Sequence, residues 1–359
     1  MKILRPVSIL TSCLLWQAGA VAQTPLLPPP GMPTPVAPVK KEKPKPKPSA
    51  AAKKPAPAAT PKPAATPAPT ATVTPAPVFE DPNVDLVYGA YQRGQYKTAF
   101  DLASNRAQFN GDPKAMTMLG ELYANAMGVK RDYAKAAEWY KRAADGGDRE
   151  GMFALAMLRL AGRGGPVNRE EAVKLLASSA KLGNPKAAYN LALLYLDGQT
   201  LPQDVKRAAE LLRVSADAGN PEAQYALATF YKEGTGVAKD IDKAVRLLQA
   251  ASLAGNVDAQ VEYAIALFNG SGTPKNEAAA VALLRKAAKQ NSPIAQNRLA
   301  RVLVTGQGAA VDKIEGLKWH IVAKTAGKGD PMLDEALAAL SPEDRAMAQE
   351  AARKWLGTK

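Results

Sequence analysis

Glycine recurs every 36 residues through most of this chain, at Gly111, Gly147, Gly183, Gly219 and Gly255, and Asn291 continues the series. The next residue is usually Asp or Asn, and proline often follows, as in Gly111-Asp112-Pro113, Gly183-Asn184-Pro185 and Gly219-Asn220-Pro221. Each of the three has its own task. Glycine takes the left-handed conformation that ends a helix. Asn or Asp caps the next helix with its side-chain oxygen. Proline fills the first helical position, where its missing N–H costs nothing. A device that stops one helix and starts another at a fixed period restricts the chain to repeated helical hairpins.

Other rows keep the same step. Leu119, Leu155, Leu191, Leu227, Tyr263 and Leu299 form an apolar row, followed by the small residues Gly120, Ala156, Ala192, Ala228, Ala264 and Ala300. Three further on come Tyr123, Arg159, Tyr195, Tyr231, Leu267 and Leu303. Gly-x-Gly turns follow, for example Gly162-Arg163-Gly164 and Gly234-Thr235-Gly236. A second capping row (Asp132, Asn168, Asp204, Asp240, Asn276, Asp312) opens helix B, and Ala136, Ala172, Ala208, Ala244, Ala280 and Gly316 follow it. Trp139, Leu175, Leu211, Leu247, Leu283 and Trp319 come next. Small rows let paired helices approach, and large rows fill the space between hairpins. One hairpin cannot bury its apolar face alone, so stability belongs to the stack.

These rows resemble the Sel1-like repeat family, longer-loop relatives of tetratricopeptide repeats. The likeness is carried by the Leu-Gly/Ala-x-x-Tyr row, the Gly-x-Gly turn, the Asp-x-x-x-Ala start of helix B and the closing Ala-x-x-Gly-Asn/Asp. It covers residues 112–327 as six repeats and implies an all-α, right-handed superhelical solenoid of antiparallel helix pairs. Repeat two departs with Arg159 in the tyrosine row, repeat three with Gln199-Thr200 in its turn, and repeat five with Asn291 for glycine. A shorter hairpin is expected over 81–111, and capping helices over 328–359, with Arg345, Gln349, Glu350 and Arg353 on a solvated face.

The resemblance also implies that helix A lines a concave groove, with two positions per repeat facing it. These are Thr117/Glu121, Phe153/Met157, Tyr189/Leu193, Tyr225/Thr229, Val261/Ile265 and Asn297/Arg301. Phe153, Met157, Tyr189, Leu193, Tyr225, Val261, Ile265, Asn297 and Arg301 are the candidate contacts for a protein or peptide partner. Two outcomes stay open. The apolar members line an accessible groove, or tight curvature buries them as core.

Residues 1–80 belong to another regime. Lys2 and Arg5, an apolar stretch from Val7 to Trp16, and Ala20-Val21-Ala22 read as a signal peptide over 1–22, cleaved after Ala22, which places the mature chain in the periplasm or outside the cell. The alternative is a lipoprotein acylated at Cys13, since Leu10-Thr11-Ser12-Cys13 matches that box. Residues 23–80 are rich in Pro, Ala, Thr and Lys, which excludes helix and sheet and predicts a disordered, extended spacer. Of the formal net charge of +14, the first 22 residues carry +2, this segment +6, and the remaining 279 residues +6. A surplus that thin across the repeats does not indicate nucleic acid. The lysines of the segment are suited to anionic envelope polymers such as peptidoglycan, or the segment is a spacer without a partner. No later stretch approaches the length of a membrane span.

Little in the inventory points to catalysis. Cys13 and His320 are the only cysteine and the only histidine, so no metal or cofactor site is expected. His320 falls where Tyr140 stands in the first repeat, on an expected partly exposed face. Ser178-Ser179-Ala180-Lys181 has the Ser-x-x-Lys spacing of penicillin-recognising enzymes, and Lys324-Thr325-Ala326-Gly327 faintly matches their second motif. Both fall within the repeat rows. A cysteine-rich branch of the resembled family is associated with penicillin binding, but this chain lacks those cysteines. The expectation is an exported, non-enzymatic adaptor.

Overall fold

The computed structural model describes residues 85–357. The signal-peptide, lipoprotein and spacer readings therefore lie outside the described residues, as do residues 81–84 and 358–359. Within them the chain is a succession of helices. A short pair, α1 (Leu86–Gln92) and α2 (Tyr96–Phe109), precedes six hairpins. These are α3 (Pro113–Asn125) with α4 (Tyr133–Asp145), α5 (Arg149–Ala161) with α6 (Arg169–Lys181), and α7 (Pro185–Asp197) with α8 (Val205–Asp217). Then come α9 (Pro221–Glu233) with α10 (Ile241–Leu253), α11 (Val257–Asn269) with α12 (Glu277–Lys289), and α13 (Pro293–Thr305) with α14 (Lys313–Thr325). α15 (Pro331–Ala338) and α16 (Pro342–Gly357) close the array. No strand occurs among the described residues. The odd-numbered helices α3 to α13 are the A helices of the repeats and their partners the B helices.

The boundaries follow from the capping chemistry. Asp112, Asn184 and Asn220 accept backbone N–H groups of the A helices they precede, and Asp132, Asp204 and Asp240 do so for B helices. The five period-marking glycines have φ between 63° and 96°, and Asn291 takes 67°. Asparagine tolerates that region better than other side chains, so repeat five keeps its turn. Ala126 holds φ 58° at the end of α3, where later repeats place glycine.

The second glycine of each A–B loop has a steric reason. A Cβ on Gly164 would lie 2.1 Å from the carbonyl oxygen of Tyr133, the first residue of α4. The loop thus rests directly on the preceding repeat's B helix. Repeat three, with Thr200 at this place, has a bond instead from Gln203 Nε2 to the Leu196 carbonyl, 2.9 Å. Arg159 fits the tyrosine row by donating to Glu171 at 2.8 Å.

Each helix packs on its sequence neighbours as far as α14, and α16 lies on α14. Buried alanines form the contact between helices, with one deeper row: Tyr140, Leu176, Leu212, Leu248, Leu284 and His320. These follow by one residue the row led by Trp139, which is only half-buried at Trp139, Leu175, Leu247 and Leu283. His320 and Tyr140 are 0% and 1% exposed, which corrects the partly exposed face expected for them. Nε2 of His320 lies 2.8 Å from Asp334 of α15, and Lys324 Nζ lies 2.6 Å from the same oxygen. Arg345 is also corrected. It is half-buried and donates to the Leu337 and Leu340 carbonyls at 3.2 Å, tying α16 to the end of α15 and the turn after it.

Candidate functional site

The candidate groove residues separate into three groups. Phe153, Leu193 and Val261 are 8%, 6% and 4% exposed and belong to the core. Met157, Tyr189, Tyr225 and Ile265 are half-buried and pack against core clusters. Asn297 and Arg301 are held by the C-terminal segment. Arg301 Nε donates to Asp330, and Asn297 Nδ2 donates to the Lys328 carbonyl at 3.3 Å and to Asp330 at 3.4 Å. Asp330 also caps α15, and Arg301 beside it holds its carboxyl below the usual range.

The first repeat is engaged in the same way. Thr117 Oγ1 donates to Asp148, the N-cap of α5, at 2.6 Å. Tyr91 of α1 donates its hydroxyl to Glu121 at 3.2 Å. Both ends of the row are therefore bound within the chain, and the partly open apolar part falls between them.

Along this face, charges from successive A helices sense one another. Burial raises Glu121 to about 7, and Lys186 and Glu150 act on it from the next two A helices. Burial also raises Glu150, against the pull of Lys186 and Arg149. Lys186 is pushed down by burial and supported by Glu150, Glu121 and Glu222. Desolvation likewise raises Asp258 on α11, with Glu262 adding to it. Sequence reasoning placed Glu121 on this face but missed Glu150 and Asp258, because caps and periodicity do not weight them. The signal was present as Lys114, Glu150, Lys186, Glu222 and Asp258, one per repeat at the same step.

A carboxyl titrating near 7 in the fold and near 4.5 when unfolded binds extra protons in the folded state between those values. Folding stability must then rise as pH falls from 8 towards 5. Glu121→Gln, which keeps an acceptor for Tyr91, is expected to stabilise the protein by on the order of 2 kcal/mol at pH 8 and far less at pH 5. Urea unfolding at the two pH values measures this, and an equal effect at both would contradict it.

Ser178 and Lys181 lie on exposed positions of α6. The neighbouring Ser179 is buried and donates to the Arg149 carbonyl at 2.7 Å, as Ser215 does to the Pro185 carbonyl. These serines tie the two helices of a hairpin together. Among the described residues no group of three His, Cys, Asp or Glu side chains could hold a metal ion. No helix among them is long and apolar enough to cross a membrane.

A stack of near-identical helical hairpins presenting one helix of each pair along a common face defines a repeat solenoid. The chain belongs to the Sel1 repeat family, which matches residues 113–148, 149–184, 185–220, 221–256, 257–292 and 293–328. Such solenoids commonly act as protein-interaction scaffolds. The chain is similar to a Sel1 repeat protein from Oxalobacter formigenes, with 26% identity over 67% of this chain and 98% of that one and a TM-score of 0.60. It is also similar to a protective antigen of uropathogenic Escherichia coli with an SLR fold, with 26% identity over 75% of this chain and 67% of that one and a TM-score of 0.53. No curated protein matches the chain.

Proposed function

We propose that this chain is an exported, non-catalytic scaffold, working in the periplasm or outside the cell, that binds a protein or peptide through the A-helix face of its repeats. The observation that carries the reading is the partly exposed apolar row of Met157, Tyr189, Tyr225 and Ile265, drawn from four successive repeats. Apolar and aromatic surface continuous along one face gains free energy when a partner segment covers it. Export is supported by the charged, apolar and small-residue order of Met1–Ala22. A non-catalytic role is supported by the scaffold character of the family and by the poor supply of nucleophiles and bases.

The test is in-envelope crosslinking and affinity capture with the wild type and with the double variant Tyr189→Lys, Tyr225→Lys. The expected result is at least about a tenfold loss of the captured partner, equivalent to about 1.4 kcal/mol or more, while the melting temperature moves by only about 3 °C or less. Undiminished capture would overturn the reading. So would a collapse of the melting temperature, because these tyrosines would then be core.

A further inference from the structure

The last A helix, α13, carries Arg298 and Arg301 and no acid, whereas each of the five before it carries at least one acid. With Ile294, Asn297 and the segment Gly327–Gly329, the two arginines line a recess of about 480 Å³. That size falls within the roughly 300–1,000 Å³ of ligand pockets. Its lining holds three cations, Arg298, Arg301 and Lys328, and no carboxylate. Arg298 and Lys328 are exposed, and their charged groups have no hydrogen bond or ion pair among the described residues. Arg301 gives only its Nε to Asp330. Its side chain is 56% exposed, and its two terminal NH2 groups remain open to a ligand.

Acids of the neighbouring elements are engaged elsewhere. Asp330 is buried and bonded to Arg301 and Asn297. Asp334 of α15 is bonded to His320 and Lys324. Glu262 of α11, at the place of Arg298 one repeat earlier, receives Lys232 of α9. Unpaired positive charge in a recess concentrates anions, and a guanidinium favours carboxylates because two N–H donors match two oxygens. The apolar surroundings select the source of that carboxylate. Ile294 is 44% exposed in the recess lining. Ile265, at the place of Arg301 one repeat earlier, is the last member of the half-buried apolar row. An inorganic anion has nothing to place on these two side chains. A peptide with apolar residues beside acidic ones covers both.

We infer that the recess of the last repeat takes the carboxylates of an acidic peptide segment. Arg298, Arg301 and Lys328 hold them, and adjoining apolar side chains of the segment lie on Ile294 and Ile265. This rests on the A-helix face being the partner surface proposed above. It gives that partner a chemistry and a direction, with its acidic end at the closing end of the array.

Panning a random peptide library on the full chain tests the inference. Peptides recovered on the wild type should be richer in Asp and Glu than those recovered on Arg298→Glu, Lys328→Glu by at least about fivefold. Arg298→Gln, Lys328→Gln, which removes charge without adding repulsion, should fall between the two. Arg301 stays in place because Asp330 depends on it. Both substituted positions are exposed, so the melting temperature should move by about 2 °C or less. The lysines of residues 40–62 also attract acid, but equally in all three proteins, so the difference between them reads the recess. Equal acid content on the three would overturn the inference. So would displacement of the recovered peptides by inorganic phosphate as readily as by free peptide, which would make the recess a simple anion site. The variant Tyr189→Lys, Tyr225→Lys separates this from the proposed function. Apolar peptides lost in that variant and indifferent to Arg298 and Lys328 defeat the recess alone. Acidic peptides lost in Arg298→Glu, Lys328→Glu and retained in the tyrosine variant uphold the recess and defeat the apolar row as the partner surface.

Discussion

Gly120→Ala is expected to destabilise the protein by about 1–3 kcal/mol, and adding Tyr140→Leu is expected to restore most of that loss. The sign is the informative part. In an ordinary helix interior, replacing glycine by alanine gains about 1 kcal/mol, and Gly120 lies within α3. A Cβ there would sit 2.5 Å from two ring carbons of Tyr140, which is itself fully buried. The later repeats place alanine in the row of Gly120 and leucine in that of Tyr140, down to Ala264 and Leu284. Volume is thus exchanged across the contact, with the small residue made smaller where the large one is larger. Tyr140 also carries a buried hydroxyl with no hydrogen-bond partner, a cost of about 1–3 kcal/mol that leucine removes. Urea unfolding of the wild type, the two single variants and the double variant forms a double-mutant cycle. Additive effects would show that the two positions do not share the space assigned to them.

Trp319→Ala should have the larger effect, about 3–5 kcal/mol. Trp319 is among the largest fully buried side chains and packs edge to face on Trp355 of α16, ring centroids 5.0 Å apart. Lys318 Nζ lies 4.5 Å from one ring centroid and 5.3 Å from the other. Its indole N–H donates to Glu315, which also receives Arg285 from the preceding B helix at 2.9 Å. One side chain thus joins the last repeat to the closing helix, and its carboxylate partner joins that repeat to the one before. Truncation should therefore act unevenly. Hydrogen exchange is expected to lose protection first across 342–357 and then in α14, with repeats two to four protected as in the wild type. Uniform loss along the array would show that the closing helix is not a separate layer of stability.

The sequence was legible wherever a residue acts on its immediate neighbours in the chain. Caps and left-handed turns depend on a few consecutive residues, so Asn184 and Asn220 could be placed from their neighbours alone, whereas the turn at Asn291, a departure from the glycine row, took its left-handed form only in the structure. The groove was legible only in part. Phe153 and Met157 occupy equivalent-looking positions one turn apart, yet the first is core and the second is half-exposed. Their difference depends on how closely neighbouring A helices approach, a property of the stack and not of one repeat. Asn297 and Arg301 were missed as internal partners of Asp330 because that pairing joins the repeats to a segment outside their period. The Tyr140 row was hidden by the more conspicuous tryptophans at Trp139 and Trp319, although its leucines repeat at the same step.

Five of the ties between helices share one length. Tyr91 to Glu121, Ser179 to Arg149, Ser215 to Pro185, Lys232 to Glu262 and Arg285 to Glu315 each join residues 30 apart. Closing a loop of that size costs about 3 kcal/mol in chain entropy, and the cost is the same at every repeat however long the array becomes. Low contact order of this kind goes with rapid folding. Assembly can begin at any well-packed pair and spread outward in equal steps, so the first hairpins need not await the last.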